Sequence, residues 1–523
     1  MSASDIDAEA KPPRNQSRFP GAVATLAIVT VLVWVAALFI PAGRYLSDVD
    51  GSPIPGTYER LPSPLDAGQR LQQLVLAPIN GIYGLRNPDT EVVDTETVGR
   101  MFGQIGVIVF IMSIGAFISV SFATRALEVA VASLAHRLRD KGWLLIAAVM
   151  LLFSLLGSTM GFSVETLGFY ALFIPLMAAL GYDRMVTASM IILGALSGVM
   201  GATVNPFSIG VAAGEANVSI GQGIGLRLLL WAVLTAMSIG WVLRYAAQVR
   251  RDPSTSLSGF GDEAEAASGS PAAAEPAAAD RLSGMQKAVL AITAFAFGLM
   301  IFSVIPWSSV IAERGGPADY LAAHAVAGAQ PYWFELNWWF PQLAMLFVLA
   351  AVAVGIVARM GEKQTVKLIA AGAADMMGPA MVVLLAGGVS AIMTNTQTLD
   401  TILHSMEQLV AGSSAATFTF LSITLNIPLG VLIPSSSGHG ALAMPLLAPL
   451  ADFAGVDRAT TITAWIMGHG LALIVAPTSV VMVGGLAIAK VGYERYLRFV
   501  WPLWLGMLAA SATIIAAFAT FVG

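Results

Sequence analysis

Long uninterrupted apolar runs are the feature that most restricts how this chain can fold. A helix needs about 20 apolar residues to cross the hydrocarbon core of a bilayer. Only 11% of the 523 residues are charged, whereas soluble domains carry about 25%. The pattern therefore predicts an all-α polytopic membrane protein. Uninterrupted runs of the required length lie at 20–42, 101–122, 223–246, 285–307, 339–360, 374–395 and 496–521.

Four further apolar segments are interrupted near their centres. The spans 185–214 and 459–489 contain proline motifs, and the longer segments 143–180 and 413–454 contain clusters of small polar residues. Lipid offers no partner to a bare amide or hydroxyl, so irregular backbone at that depth must be buried in protein or line a cavity. We expect two broken helices and two re-entrant helical hairpins, which together with the seven runs make about nine transmembrane helices plus two hairpins.

Basic residues orient the predicted spans. If each hairpin enters and leaves on one side, nine crossings place every basic cluster in the cytoplasm, as the positive-inside rule requires. The N-terminus is then cytoplasmic and the C-terminus extracytoplasmic. The first run is too long for a signal peptide and is expected to be a retained span. The clusters are Lys11, Arg14 and Arg18; Arg125, Arg137, Arg139 and Lys141; Arg250 and Arg251; Lys363 and Lys367; and Lys490, Arg495 and Arg498.

The stretch 252–284 divides the chain into two halves. It is rich in Ala, Ser, Gly, Pro and acidic residues, a composition that cannot form a packed core. Segments 123–140 and 397–410 carry apolar residues at helical spacing beside charges, which predicts amphipathic helices on opposite membrane faces. The predicted organisation is a cytoplasmic tail at 1–19, a first half at 20–246, a disordered cytoplasmic linker at 247–284 and a second half at 285–523.

The two halves repeat one another. "PLMAALGYDR" at 175–184 matches "PLADFAGVDR" at 449–458, and the tip "TMGFSVET" at 159–166 matches "IPSSSGHG" at 433–440. Asp183 and Asp457 occupy equivalent positions before a helix, where aspartate acts as an N-cap. By the orientation above the repeats are inverted, which is typical of secondary transporters with a binding site near the bilayer midplane.

Candidate binding residues lie at the two tips and the two helix breaks. Helix N-termini favour an anion, and carbonyls freed at a break suit a cation. Glu165 is either functional, as intramembrane ionisable residues usually are, or a helix cap. His439 either binds substrate or a proton or is a hydrogen-bonded hairpin residue, and the hydroxyls either contact ligand or satisfy their own backbone. The candidates are Ser158, Thr159, Ser163, Glu165, Thr203, Asn205, Ser208, Ser435, Ser436, Ser437, His439, Thr478 and Ser479.

Three stretches carry a family resemblance. "FSLLGSTMGFSVETLGFYALFIPLMAALGYDR", "GATVNPFSIGVA" and "IPSSSGHGALAMPLLAPLAD" resemble the YfcC/DcuC-type carriers, the four-carbon dicarboxylate anaerobic carrier family. The resemblance implies a homodimer in a bacterial inner membrane, working by an elevator mechanism driven by sodium or protons. Family members are linked to dicarboxylates, basic amino acids and short carboxylates. This chain has Gly387 where the family commonly has arginine and His469 where it commonly has aspartate.

These features favour a secondary active transporter for a small carboxylate or amino acid. The alternative is a cation/proton antiporter with Glu165 as the proton carrier, and a remote one is an intramembrane hydrolase that uses Ser437 with His439. The chain has no cysteine and no Walker A motif, which excludes thiolate chemistry and an ATPase within this polypeptide. We expect no enzymatic activity, no cofactor except sodium as a candidate coupling ion, and, with a net charge of −5, no nucleic-acid partner.

Overall fold

Helices dominate the fold. In this computed structural model, residues 22–46, 53–62, 65–83, 85–86, 93–94, 100–101, 105–138, 140–260, 282–305, 307, 334–336, 338–410 and 413–521 are described. The first half contains α1 Ala22–Ala36, α2 Ala67–Tyr83, α3 Ile105–Ala123, α4 Ala126–Arg137, α5 Gly142–Met160, α6 Tyr170–Ala179, α7 Arg184–Met200, α8 Val211–Ala216 and α9 Ile224–Arg251. The second half contains α10 Gly284–Val304, α11 Phe340–Val357, α12 Glu362–Asp375, α13 Met377–Asn395, α14 Leu399–Val410, α15 Ala415–Leu432, α16 Ser436–Phe453, α17 Arg458–Val475, α18 Val480–Ile488 and α19 Tyr493–Phe521.

Two small antiparallel sheets lie between α1 and α3. One pairs β1 (Gly43–Arg44) with β2 (Glu59–Arg60). The other has the strand order β4-β3-β5, built from Leu85–Arg86 (β3), Val93–Asp94 (β4) and Arg100–Met101 (β5). The all-helical prediction did not include them, because strands of two residues are too short to show a period-two pattern.

Nine helical segments of the described chain are long and apolar enough to cross a membrane. Their number equals the predicted number of spans, but their identity differs. The nine include α5 and α15, each of which is the first arm of its hairpin. They exclude α1 and α7, which have only 15 and 17 residues. The predicted run 20–42 is helical only to Ala36, because the chain turns at residues 37–40 before Pro41. The protein is therefore a multi-pass membrane protein whose first helix is shorter than its apolar run.

Both segments with polar tips fold as helical hairpins. In the first, α5 ends at Gly161, which adopts the left-handed conformation (φ +74°) that glycine tolerates best. The ring of Phe153 on α5 then lies 6.4 Å from that of Phe173 on α6, so the two arms meet through this aromatic contact. In the second, the chain turns through residues 433–435 between α15 and α16. The helix–turn–helix form was predicted from the small-polar clusters.

The sequence repeat is also a repeat of contacts. A Cβ on Gly198 of α7 would lie 2.1 Å from the carbonyl oxygen of Ser154 on α5. In the second half, a Cβ on Gly468 of α17 would lie 2.2 Å from that of Ile423 on α15. Each first hairpin arm therefore crosses the following helix at a glycine that allows backbone-to-backbone approach. The predicted N-caps are confirmed as well, since Asp183 accepts from Val186 N and Asp457 from Thr460 N.

The helices form two groups. The hairpin arms α5 and α15 pack with α7, α9, α17 and α19, and α7 crosses α17 where Gly470 meets Met200. A second group contains α3 packed with α11 and α12, and α13 packed with α1 and α2. The second hairpin arm α16 contacts both groups, through α13 on one side and α8 on the other.

The linker begins later than predicted. Helix α9 continues to Arg251, and residues 253–255 form a short 3₁₀ turn. Ser256 and Ser258 then donate hydrogen bonds to the Asp183 carboxylate over 2.7 and 3.2 Å, which ties this end of the linker to the N-terminus of α7. Residues 261–281, the centre of the predicted disordered linker, lie outside the described residues. The predicted amphipathic segments are helical, as α4 and α14.

Tyr45 and Tyr58, in the chain between α1 and α2, are fixed to α14 by a polar cluster. The hydroxyl of Tyr45 donates to Glu407 Oε2 over 2.5 Å and lies 3.2 Å from His404 Nδ1. The ring of Tyr58 stacks on His404 with centroids 4.2 Å apart. This cluster joins α14 to the segment that follows α1.

Candidate functional site

The first helix break faces the end of the first hairpin arm. Helix α7 stops at Met200, and Asn205 begins the next helical turn by accepting from Phe207 N over 2.9 Å. Across the gap, buried Ser158 donates to the Gly201 carbonyl over 2.8 Å, and Thr203 Oγ1 lies 3.3 Å from the Ser158 carbonyl. The predicted residues Ser158 and Thr203 thus hydrogen-bond to each other, and Asn205 lies beside them with its side-chain amide donating to the Gly157 carbonyl over 3.4 Å.

The second break makes the equivalent contact. Thr478 donates to the carbonyl oxygen of Val431, at the end of α15, over 2.7 Å. Val431 lies one residue before the position equivalent to Ser158 in the repeat, and each contact is made by a threonine, Thr203 at the first break and Thr478 at the second. Ser479 accepts from Met482 N over 3.5 Å and so begins α18. Both breaks are therefore held against a hairpin arm by a threonine hydroxyl, which satisfies a carbonyl left open where the arm ends.

The first tip is an exposed, self-capped turn. Glu165 is solvent-exposed, and its carboxylate accepts from Ser163 N over 3.0 Å. Thr159 donates to Leu155 O within α5 over 2.8 Å. A cavity of about 50 Å³ lies beside Glu165 and also touches Arg125 of the α3–α4 junction. Glu165 was expected to be either a functional residue or a helix cap, and its bond to Ser163 N is that of a local cap.

The second tip ends in a helix N-terminus. Ser435 is the N-cap of α16 and accepts from Gly438 N over 3.3 Å, and its hydroxyl lies 3.2 Å from that of Ser437. Within the described part of the chain, the amides of Ser436 and Ser437 and the hydroxyl of Ser436 have no hydrogen-bond partner. Two free amides and a hydroxyl at the first turn of a helix can together accept an anion.

Two histidines meet below this tip. His439 Nδ1 lies 2.9 Å from His469 Nδ1, and His439 Nε2 lies 2.9 Å from Asn426 Oδ1. Trp465 lies beside both rings, stacked on His469 at 5.9 Å. Because both ring nitrogens of His439 are engaged in this way, His439 forms no pair with Ser437 of the kind a hydrolase requires.

Sequence reasoning missed Asn426, Trp465 and Glu215. An amide inside the apolar stretch "TLNIPLG" and an acid in "AAGEANVS" were the available signals, since polar groups at membrane depth are costly. Glu215 lies on α8, and its Oε1 is buried without a partner in the described residues. The hydroxyl of Ser208, a predicted site residue, is buried and unpartnered there as well.

Each tip packs against the broken helix of the other half. Helix α16 contacts α8 and the helical turn Pro206–Gly210, while α18 contacts the 3₁₀ turn Val164–Phe169 of the first tip. At the latter contact a Cβ on Gly485 would lie 2.3 Å from the Tyr170 hydroxyl. The predicted residues of each tip therefore lie close to a broken helix of the other half.

Comparisons with known proteins show which family has this sequence. A family model described as "C4-dicarboxylate anaerobic carrier" matches residues 19–519. The chain belongs to that family. It is 26% identical over 530 residues to an uncharacterised protein of Haemophilus influenzae (97% of this chain, 98% of that one). It is also 26% identical over 439 residues to the "Putative basic amino acid antiporter YfcC" of Escherichia coli K12 (82% of this chain, 80% of that one).

Solved structures share the fold. The YdaH transporter of Alcanivorax borkumensis superposes with a TM-score of 0.64 at 14% identity, covering 95% of this chain and 98% of its own. MtrF of Neisseria gonorrhoeae, described among a class of antimetabolite efflux pumps, gives 0.63 at 16% identity, covering 97% and 96%. Family and fold together indicate that this protein is a membrane transporter.

Proposed function

We propose that this protein is a secondary active transporter that moves a small carboxylate or amino acid, coupled to sodium or protons. The observation that carries the proposal is the N-terminus of α16, where the free amides of Ser436 and Ser437 lie beside the Ser435 and Ser436 hydroxyls. A helix N-terminus attracts a carboxylate without an arginine. The family name and the name of the Escherichia coli relative point to different solutes, but dicarboxylates and basic amino acids share a carboxylate group.

The proposed mechanism is an elevator with re-entrant hairpins. The division into two helix groups supports it, since one group holds the first arm of each hairpin and both broken helices, and the second hairpin arm α16 contacts the other group through α13. The first group would be the moving transport domain and the second the scaffold, through which two copies would form a homodimer. The basic clusters support a cytoplasmic N-terminus in a bacterial inner membrane.

Uptake into proteoliposomes tests the proposal. Purified protein would be reconstituted and offered radiolabelled succinate, butyrate, arginine and lysine under imposed sodium or proton gradients. We expect gradient-driven accumulation of at least one carboxylate-bearing solute. Gradient-driven sodium or proton exchange without solute movement would favour the cation/proton antiporter instead. Failure to accumulate any of the four solutes, in vesicles that contain folded protein, would contradict the substrate class.

A further inference from the structure

His439 and His469 form a buried pair below the tip of the second hairpin. Their exposed fractions are 1% and 0%, and that of Asn426 is 2%. Gly430 lets α15 approach closely, since a Cβ there would lie 3.3 Å from His469 Nδ1. Three helices, α15, α16 and α17, therefore hold the two rings and the amide in one fixed arrangement.

The hydrogen bonds determine the tautomer of each ring. Asn426 Nδ2 donates to the Ser422 carbonyl over 2.6 Å, so Asn426 Oδ1 is free to accept and His439 Nε2 must donate to it. Neutral His439 then has a bare Nδ1, which accepts from His469 Nδ1–H. Neutral His469 consequently carries a bare Nε2, and this nitrogen is buried without a partner in the described residues.

No charged side chain of the described residues bonds to the pair. Helices α13, α15 and α18, which pack against α16 or α17, carry no ionisable residue. The other elements that pack against α16 or α17 do carry ionisable residues, but none of these lies within hydrogen-bond distance of either ring. Those residues, with the ones on α16 and α17 themselves, are Arg184, Glu215, Arg227, Arg244, Tyr245, Arg250, Arg251, Asp400, His404, Glu407, Asp452, Asp457, Arg458, Tyr493, Glu494, Arg495, Tyr496 and Arg498.

We infer that the His439–His469 pair binds the coupled proton, which makes the proton the coupling ion of the transport proposed above. The proton passes from water to the lone pair of His469 Nε2 and forms one N–H bond. All existing bonds are kept, because His469 Nδ1–H still donates to His439. The hydrogen bond between the two rings spreads the resulting imidazolium charge toward His439. His439 lies four residues after the Ser435 cap, which is about 6 Å along the helix.

Burial links the proton to the carboxylate. An isolated charge in a low-dielectric interior is strongly unfavourable, whereas opposite charges held close together compensate one another. A carboxylate at the N-terminus of α16 and a proton on the pair therefore bind together more readily than either binds alone. Reciprocal stabilisation of this kind gives symport of one proton with each carboxylate.

A first experiment needs no substrate. Solid-state ¹⁵N NMR of histidine-labelled protein at pH 7 should show His469 protonated at Nδ1 and His439 at Nε2, assigned by the loss of signals in His469→Gln and His439→Gln. A His469 protonated at Nε2, or a charged pair in the substrate-free protein, would overturn the inference. Because no solute is added, this result is independent of the proposed substrate class.

The second experiment measures coupling, with succinate and arginine as probes. We expect His469→Gln to lower pH-gradient-driven uptake by about tenfold, a typical coupling factor, while exchange of labelled for unlabelled probe continues. His404→Gln, in the α14 cluster and outside hydrogen-bond distance of the pair, is the matched control and should transport normally. The proton site would be refuted if wild-type uptake did not depend on the pH gradient, or if His469→Gln showed the same gradient-driven uptake as the wild type. Absence of uptake of either probe by the wild type, with the predicted tautomers present, would refute the substrate class alone.

Discussion

The glycine crossing between α5 and α7 gives the sharpest structural prediction. A Cβ on Gly198 would lie 2.1 Å from the carbonyl oxygen of Ser154 and 2.7 Å from its Cα. Both are backbone atoms, so no side-chain rotation can relieve the contact. The change Gly198→Ala must therefore push the two helices apart or distort one of them.

The magnitude follows from opposing effects. Ordinary carbon contacts begin near 3.4 Å, so the helices must separate by about 1 Å. Overpacking of this kind costs about 1–3 kcal/mol, and alanine returns up to about 1 kcal/mol of helix propensity. We expect a net destabilisation of about 1–2 kcal/mol. Gly468→Ala should behave alike, because its Cβ would lie 2.2 Å from the carbonyl oxygen of Ile423.

Thermal unfolding in detergent, followed by tryptophan fluorescence and by loss of the monodisperse elution peak, measures the effect. Gly240→Ala on α9 is the matched control, since nothing lies within 4 Å of its added Cβ. It should unfold at the wild-type temperature or above, and both crossing variants should unfold lower. If Gly198→Ala and Gly468→Ala were as stable as Gly240→Ala, the close crossings and the repeat of contacts would be wrong.

Three further predictions concern the tips and the α14 cluster. Glu165→Gln should retain pH-gradient-driven uptake, because the amide oxygen can still cap the turn. Loss of that uptake would indicate that Glu165, rather than the histidine pair, binds the proton. Ser436→Ala should weaken binding of the transported solute by about 1 kcal/mol, the net contribution of a typical hydrogen bond. An unchanged affinity in a binding titration would show that the Ser436 hydroxyl does not contact the solute. Burial raises the pKa of Glu407, but hydrogen bonds from Tyr45, a backbone amide and His404 outweigh it and lower that pKa overall. Its stabilising effect is therefore present above the unfolded value of about 4.3 and is lost as pH falls through the folded pKa. The protection of the amides around Tyr45, measured relative to their intrinsic exchange rates, should fall at low pH, and Glu407→Gln should show lower protection already at pH 7; equal protection in both would contradict this.

Local chemistry made much of the fold predictable from the sequence. Asp183 and Asp457 precede apolar helices at equivalent places, and both are caps. The small-polar clusters and prolines marked the turns and breaks within a few residues, because lipid tolerates such groups only at special positions. The tips nevertheless turn differently, since Gly161 adopts a positive φ and the second tip contains no residue that does.

The histidine pair below the second tip depends on contacts between residues that are far apart in the sequence. His439 and His469 are 30 residues apart, and their 2.9 Å contact arises only because α16 and α17 cross. Asn426 joins them from a third helix. Glu165 was the most prominent acid in the sequence, yet its exposure and its bond to Ser163 depend on how the tip folds. Burial and helix crossing, rather than residue type, separate these cases.

A transporter with inverted repeats of the kind we propose needs its two tips to reach the substrate from opposite sides of the membrane in turn. Because the chain has no cysteine, single cysteines at Ser163 and Ser436, both half-buried, can be labelled with a membrane-impermeant maleimide from either side of oriented vesicles. We expect labelling of the two positions from opposite sides, with protection by the transported solute. Labelling of both from the same side, with or without solute, would contradict it.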